Sequence, residues 1–164
     1  MPATRNDLVQ RLKDLDIVTT TTEHPPLHTV AESVAQRGEI PGGHCKNLFL
    51  KDKKQQLWLV VTLEDASVDL KTLPGRIGAA RLSFGKPDLL MEVLGIAPGS
   101  VTPFALINDT EQQVHVVLDK AMMNHEHLNY HPLVNDATTT IASEDLIRFI
   151  EACGHSPRIE AVST

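Results

Sequence analysis

The stretch Gly43-His44-Cys45-Lys46-Asn47-Leu48-Phe49-Leu50-Lys51-Asp52-Lys53-Lys54-Gln55-Gln56-Leu57-Trp58-Leu59-Val60-Val61-Thr62-Leu63 decides how the rest of the chain is read. Two apolar runs, residues 47–51 and 57–63, flank a turn of Lys and Gln, the pattern of an antiparallel hairpin with an exposed tip. Trp58 is expected in the core. The cationic tip reads first as a solvated face, because charge at a hairpin tip usually stays wet. Lys46 stands where the first run begins. There a strand fixes the backbone while the side chain reaches into a cleft, which suits a cation that holds a phosphate or a developing oxyanion.

Outward from the hairpin, Thr4-Arg5-Asn6-Asp7 has the form of a capping box, and Leu8, Leu12 and Leu15 follow at helical spacing, so a short amphipathic helix is expected. The β-branched residues 17–22 read as a strand, Pro25-Pro26 breaks it, and Thr29-Val30-Ala31-Glu32 opens a second helix that Gly38 ends. Beyond the hairpin, residues 69–80 mix helix-like and loop-like pieces around Pro74-Gly75, and residues 81–84 suit a short strand. Pro87–Leu94 suits a helix with Gly95 at its end. After a Pro98-Gly99 turn, residues 104–107 and 114–118 are expected to pair as another hairpin around Asn108-Asp109. Ser143-Glu144-Asp145 should cap a last helix ending at Gly154, with residues 157–162 returning as an edge strand. Strands interleaved with helices, several of them in hairpins, predict an α/β chain of α+β character whose mixed sheet curls toward a barrel.

With 164 residues and 41% hydrophobic content, the chain can form one domain whose core buries roughly 70% of the unfolded surface. No apolar run approaches the roughly 20 residues of a spanning helix, and no basic region precedes an apolar stretch near the N-terminus, so a soluble, cytoplasmic protein without membrane partners is expected. Cys45 and Cys153 lie far apart without CxxC spacing and read as reduced thiols. A net charge of −6 argues against a broad, sequence-independent nucleic-acid binder but leaves room for a small contact. Lys46, Lys51, Lys53 and Lys54 are close in sequence, and Arg76, Arg81 and Lys86 form a looser group that folding could bring to the same cleft.

His125-Glu126-His127 with His131 offers imidazoles and a carboxylate for a metal, but no HExxH helix is formed and Pro132 interrupts regular structure, so solvent-facing loop histidines are the expectation. Beside Lys46, His44-Cys45 suggests an activated thiol. On a strand, however, neighbours point to opposite faces, and Cys45 reads as a small buried apolar residue. The chain contains no Gly-x-Ser-x-Gly elbow, Walker loop or Rossmann fingerprint, which disfavours acyl-enzyme hydrolases, nucleoside triphosphatases and dinucleotide oxidoreductases.

Taken together, Lys46-Asn47-Leu48-Phe49-Leu50-Lys51-Asp52, Leu57-Trp58-Leu59-Val60, Gly99-Ser100-Val101-Thr102-Pro103-Phe104, and His131-Pro132-Leu133 ahead of Thr138-Thr139-Thr140-Ile141 resemble the YbaK/ProX-type family, freestanding relatives of the editing domain inserted in bacterial prolyl-tRNA synthetase. The resemblance covers nearly the whole chain, from Leu8 to Gly154, and within the family looks most like the branch that hydrolyses Ala-tRNA(Pro). It implies one editing domain over residues 1–164, with a mixed, largely antiparallel curled sheet or partial barrel and surrounding helices. It also implies a cytoplasmic aminoacyl-ester hydrolase without metal or organic cofactor. The substrate would be the alanine-carrying acceptor end of tRNA(Pro), with prolyl-tRNA synthetase or an elongation factor as further partners. A Cys-tRNA(Pro) deacylase and a non-catalytic module that binds the tRNA end or the synthetase are the alternatives.

By carry-over from that family, Lys46 is the essential cation that grips the tRNA end, and backbone N–H groups around Gly99 and Ser100 polarise the ester carbonyl. Asn47, Thr102 and His131 lie on the substrate side, with His131 bordering the aminoacyl pocket. The 2'-hydroxyl beside the ester would help to position the attacking water. Each residue also has a purely structural reading. Lys46 can be an ordinary strand-end lysine and Asn47 a backbone-bonding residue. Pro98-Gly99 is a common turn pair, Thr102-Pro103-Phe104 can serve packing and loop shape, and His131 precedes a proline that favours extended backbone.

Overall fold

Thr4 opens the first helix as expected: its hydroxyl accepts from the Asp7 N–H, and the Asp7 carboxylate accepts from the Thr4 N–H. That helix, α1 (Arg5–Asp14), buries Leu8 and Leu12. Each fully buried Leu contributes about 1.5–3 kcal/mol. The computed structural model describes residues 2–26 and 40–163. The helix expected over residues 29–38 lies outside the described residues.

The strands are β1 (Thr19–Glu23), β2 (Gly43–Asp52), β3 (Leu57–Leu63), β4 (Leu82–Phe84), β5 (Val114–Asp119), β6 (His127–Tyr130), β7 (Ala137–Ala142) and β8 (Arg158–Glu160). Among the described residues, three further α-helices are α2 (Leu73–Ile77), α3 (Pro87–Leu94) and α4 (Ser143–Ala152). The sheet runs β1-β7-β6-β2-β3-β5-β8, with β4 on β2. Pairs β1/β7, β6/β7, β2/β3 and β2/β4 are antiparallel, whereas β2/β6, β3/β5 and β5/β8 are parallel. The expected mixed, largely antiparallel sheet is therefore present.

The β2–β3 hairpin lies at its centre, and apolar residues pack against both of its faces. Phe49, Leu57, Leu59 and Val61 enter the larger cluster, whereas Leu50, Trp58 and Val60 enter a second cluster with Leu73, Ile77 and Val117. A strand covered on both sides needs a continuous apolar run rather than an alternating one, which accounts for Leu57-Trp58-Leu59-Val60-Val61.

One expected hairpin is absent. Residues 104–107 do not pair with β5; Pro103–Asn108 is a 3-10 turn whose N-cap, Thr102, accepts the Phe104 N–H through its hydroxyl. Pro103 suits the first position of that turn, and β5 leaves it to run parallel to β3. The Asp109 carboxylate directs the exit by accepting the Gln113 and Val114 N–H groups and pairing with buried His155 at 2.8 Å. Phe104 locks the segment edge-on against Tyr130 and Phe149, at 6.1 and 5.4 Å between ring centroids. The last helix also starts differently from expectation. Ser143 is its first helical residue, Ala142 is the N-cap, and the Ser143 N–H donates to the Glu126 carbonyl.

Candidate active site

Three motifs far apart in sequence meet at the start of β2. Asn47 Nδ2 donates to the Val101 carbonyl at 3.0 Å, which ties the Pro98–Ser100 turn to the strand that carries Lys46. The Asn47 Oδ1 is buried and has no hydrogen-bond partner among the described residues. Gly99 is exposed, and a Cβ built on it would meet, among the described residues, only Asn135 Nδ2, at 3.8 Å, so the loop from His131 to Asn135 closes on the same turn. Within that loop Leu133 holds φ 70°, a left-handed conformation unusual for a branched side chain. The Ser100 N–H donates to the Ala97 carbonyl at 2.9 Å and is thereby committed to the turn.

His131 is half-buried, with Nδ1 3.1 Å from the Ala137 carbonyl. A carbonyl can only accept, so the proton sits on Nδ1 and the neutral ring presents an unprotonated Nε2. Burial lowers the His131 pKa, the Ala137 bond opposes that shift, and neighbouring His24 adds to it. The two rings stand edge to face at 6.5 Å. His24 is held by the Pro25 carbonyl and the Thr138 hydroxyl, at 2.9 and 2.8 Å. Thr102 is wholly buried and its hydroxyl is spent on the Phe104 N–H, so it shapes the loop from beneath.

Lys46 follows a different path from Asn47. Successive side chains of a strand alternate faces. The Lys46 amine is half-buried and donates to the Ala66 carbonyl at 2.5 Å, in the bend after β3. Residues leading into that bend, Leu63, Glu64 and Asp65, line a cavity of about 290 Å³ with Gly42, Gly43, His44 and His125. A neighbouring cavity of about 370 Å³ shares Gly42 and His125 and adds Thr20, Pro41, Glu126, His127 and Thr140. Among the described residues, no three His, Cys, Asp or Glu side chains are grouped to hold a metal ion. Cys45 is not an activated thiol: burial pushes its pKa up to about 11.

A second polar region lies along β2. A cleft of about 530 Å³ is lined by Lys51, Lys53, Arg81 and Lys86, together with Phe84, Gly85 and Leu89. Two of the three cations in the looser sequence group thus join the hairpin lysines. The third, Arg76, does not line the cleft; it donates to the Ala161 carbonyl. The cleft is organised by Asp52, a buried carboxylate that accepts from the Lys54 and Gln56 amides, Trp58 Nε1 and the Ala80 amide, at 2.9–3.2 Å. Burial would raise its pKa, but these four hydrogen bonds outweigh burial and hold the carboxyl below its ordinary value. Sequence reading placed Lys46, Asn47, Gly99, Ser100 and His131 among the candidates. It gave little weight to Asn135 and overlooked His24 and the Ala66 carbonyl, whose partners lie tens of residues away.

A family profile described as "Aminoacyl-tRNA editing domain" matches residues 24–149. The chain is 42% identical over 157 residues to "Prolyl-tRNA synthetase associated domain-containing protein 1" of Danio rerio, covering 94% of this chain and 85% of that one. It is 37% identical over 150 residues to "Prolyl-tRNA editing protein ProX" of Acetoanaerobium sticklandii, covering 91% and 92% respectively. In fold, it superposes on the crystal structure of the hypothetical protein APE2540 with a TM-score of 0.74 at 20% identity, covering 96% of this chain and 99% of that one. No helix among the described residues is long and apolar enough to cross a membrane.

Proposed function

This chain belongs to the aminoacyl-tRNA editing domain family, and from that premise we propose that it hydrolyses the ester of alanine mischarged onto tRNA(Pro), acting in trans. The observation that carries the reading is the convergence of the Lys46-Asn47 strand, the Gly99 turn and the His131–Asn135 loop, joined through the Asn47 bond to Val101 and the approach of Asn135 to Gly99. An aminoacyl ester is already activated, so orienting a water and stabilising the oxyanion suffices without a nucleophilic side chain.

In this reading the Lys46 amine leaves or shares the Ala66 carbonyl to engage a phosphate near the tRNA 3' end. The Gly99 N–H lies in the first turn of its 3-10 segment, where amides lack an intrahelical acceptor, and with no Cβ to obstruct approach it polarises the ester carbonyl. Thr102 keeps that turn in shape. Asn47 holds the turn to β2, and a donor arriving with substrate would satisfy its buried Oδ1. Neutral His131 forms a wall of the aminoacyl pocket. The 2'-hydroxyl of the terminal ribose helps to place the water.

Alanine is smaller than proline, so a synthetase pocket shaped for proline excludes it weakly, and a tighter second pocket restores discrimination. The cleft of Lys51, Lys53, Arg81 and Lys86 supplies a small phosphate-binding surface on an acidic chain, which gives modest affinity and a moderate salt slope.

Deacylation of Ala-, Cys- and Pro-tRNA(Pro), measured side by side for wild type and Lys46→Ala, tests the reading. Alanine is expected to be removed fastest, and Lys46→Ala is expected to abolish hydrolysis without changing the melting temperature by more than a few degrees. Faster removal of cysteine would reassign the substrate. Wild-type rates in Lys46→Ala would remove the central assignment.

A further inference from the structure

We propose that His24 is a positioning residue for the aminoacyl pocket, a pinned ring that holds His131 in one plane; this rests on the reading of His131 as pocket wall given above. The backbone of His24 extends the β1–β7 ladder one step past Glu23–Ala137, its N–H donating to the Asp136 carbonyl at 3.0 Å. The Pro25 carbonyl can only accept, so Nδ1 carries a proton. In the neutral ring Nε2 accepts from the Thr138 hydroxyl at 2.8 Å, and in the charged ring it donates to the same oxygen. Either way the ring cannot turn over without losing both bonds.

Register places this ring on the face of the candidate active site. Thr22 pairs with Thr138, so His24, two residues on from Thr22, shares their face. Asn129 pairs with Thr140 on one side and with His44 on the other, and its Oδ1 accepts from the Thr140 hydroxyl. His131 and Lys46 each stand two residues beyond that row and belong to the same face, as does Thr138. His24, Thr138, His131 and Lys46 therefore look out from one side of β1, β7, β6 and β2.

Among the described residues, the His131 ring makes a single hydrogen bond, from Nδ1 to the Ala137 carbonyl, and one bond leaves a ring free to pivot about it. The His24 ring removes that freedom, standing edge to face at 63° with centroids 6.5 Å apart. The two rings also act on each other's charge: burial lowers the His131 pKa most, and His24 lowers it further. The other charged groups on this face lead elsewhere. Asp136 is exposed, Glu23 pairs with Arg5 at 3.1 Å, and the Lys46 amine donates to the Ala66 carbonyl.

The test uses the full chain. His24→Phe keeps a ring in place but loses its two side-chain bonds and its charge. In NMR titration without substrate, the His131 midpoint should rise by about 0.5 in this variant, as Coulomb's law in water gives for two unit charges 6.5 Å apart. In deacylation of Ala- and Pro-tRNA(Pro), the alanine-over-proline ratio of kcat/KM should fall about tenfold or more in His24→Phe, because a loosened wall admits the larger ring. Thr138→Val, which removes the hydroxyl that pins His24, should lower the same ratio. Both changes break one chain of contacts, so the double variant should be no worse than His24→Phe alone. A role confined to folding predicts a lower melting temperature with the His131 midpoint and the ratio unchanged, and that result would overturn the proposal, as would losses that multiply in the double variant. If wild type hydrolyses neither ester, the hydrolase reading fails, while the substrate-free titration still decides whether His24 governs His131.

Discussion

Replacing Asp52 by Ala removes the acceptor for four N–H groups at once. The Lys54 and Gln56 amides sit in exposed turn residues, where water can replace the carboxylate. Trp58 Nε1 is buried and the Ala80 amide half-buried, so both are left short of a partner, at about 1–3 kcal/mol each. With some loosening of the turn, the expected loss is about 3–5 kcal/mol, a large share of the roughly 5–15 kcal/mol that holds a domain together. At about 2–4 °C per kcal/mol for a chain of this size, the melting temperature should fall by about 6–20 °C. Asp52→Asn retains one acceptor oxygen and should lose about half as much. Because the folded-state pKa is depressed, the carboxylate's contribution is present above the unfolded value of about 3.9 and disappears as pH falls through the folded pKa. Wild type and Asp52→Asn should therefore converge in stability below about pH 4. Calorimetric melts between neutral pH and pH 3, with Trp58 emission as a local probe, check both points. A loss in Asp52→Ala below about 1 kcal/mol, or a gap from Asp52→Asn that does not narrow in acid, would refute the argument.

Two other outcomes follow from the same geometry. The His131 pKa is lowered by burial, so the neutral ring contributes stability that is complete above the unfolded value of about 6.5 and declines as pH falls toward the folded value. NMR titration of the ring should give a midpoint below 6.5, and His131→Gln should remove that part of the stability slope; a midpoint at or above 6.5 would contradict it. Gly85→Ala would drive its Cβ into the ring of buried Phe49, so a loss of about 1–3 kcal/mol is expected, read by thermal melting.

The central hairpin was legible because its signals are local: two apolar runs and a polar turn, with Lys53, Lys54 and Gln55 at the tip. The capping box at Thr4 and the Pro87–Leu94 helix were legible for the same reason, since both depend on residues within one or two turns. Residues 104–107 misled because an apolar run of that length suits a strand or a buried turn equally. Thr102 as cap and the rings of Tyr130 and Phe149 decide in favour of the turn. The candidate site divides similarly. Lys46 and Asn47 stood out from their position in the hairpin, but the alternation that sends one to Ala66 and the other to Val101 acquires partners only after folding.

Local chemistry in the chain determined the helix caps, the apolar β2–β3 pair, the acidic balance and the motifs that mark an editing domain, because each is written within a few neighbouring residues. Tertiary structure alone decided that Gly99 lies against Asn135, that His131 is half-buried beside His24, and that Arg81 and Lys86 join Lys51 and Lys53 in one cleft. Those contacts join residues tens of positions apart, and their distances come from sheet order and register, which no short stretch of sequence specifies.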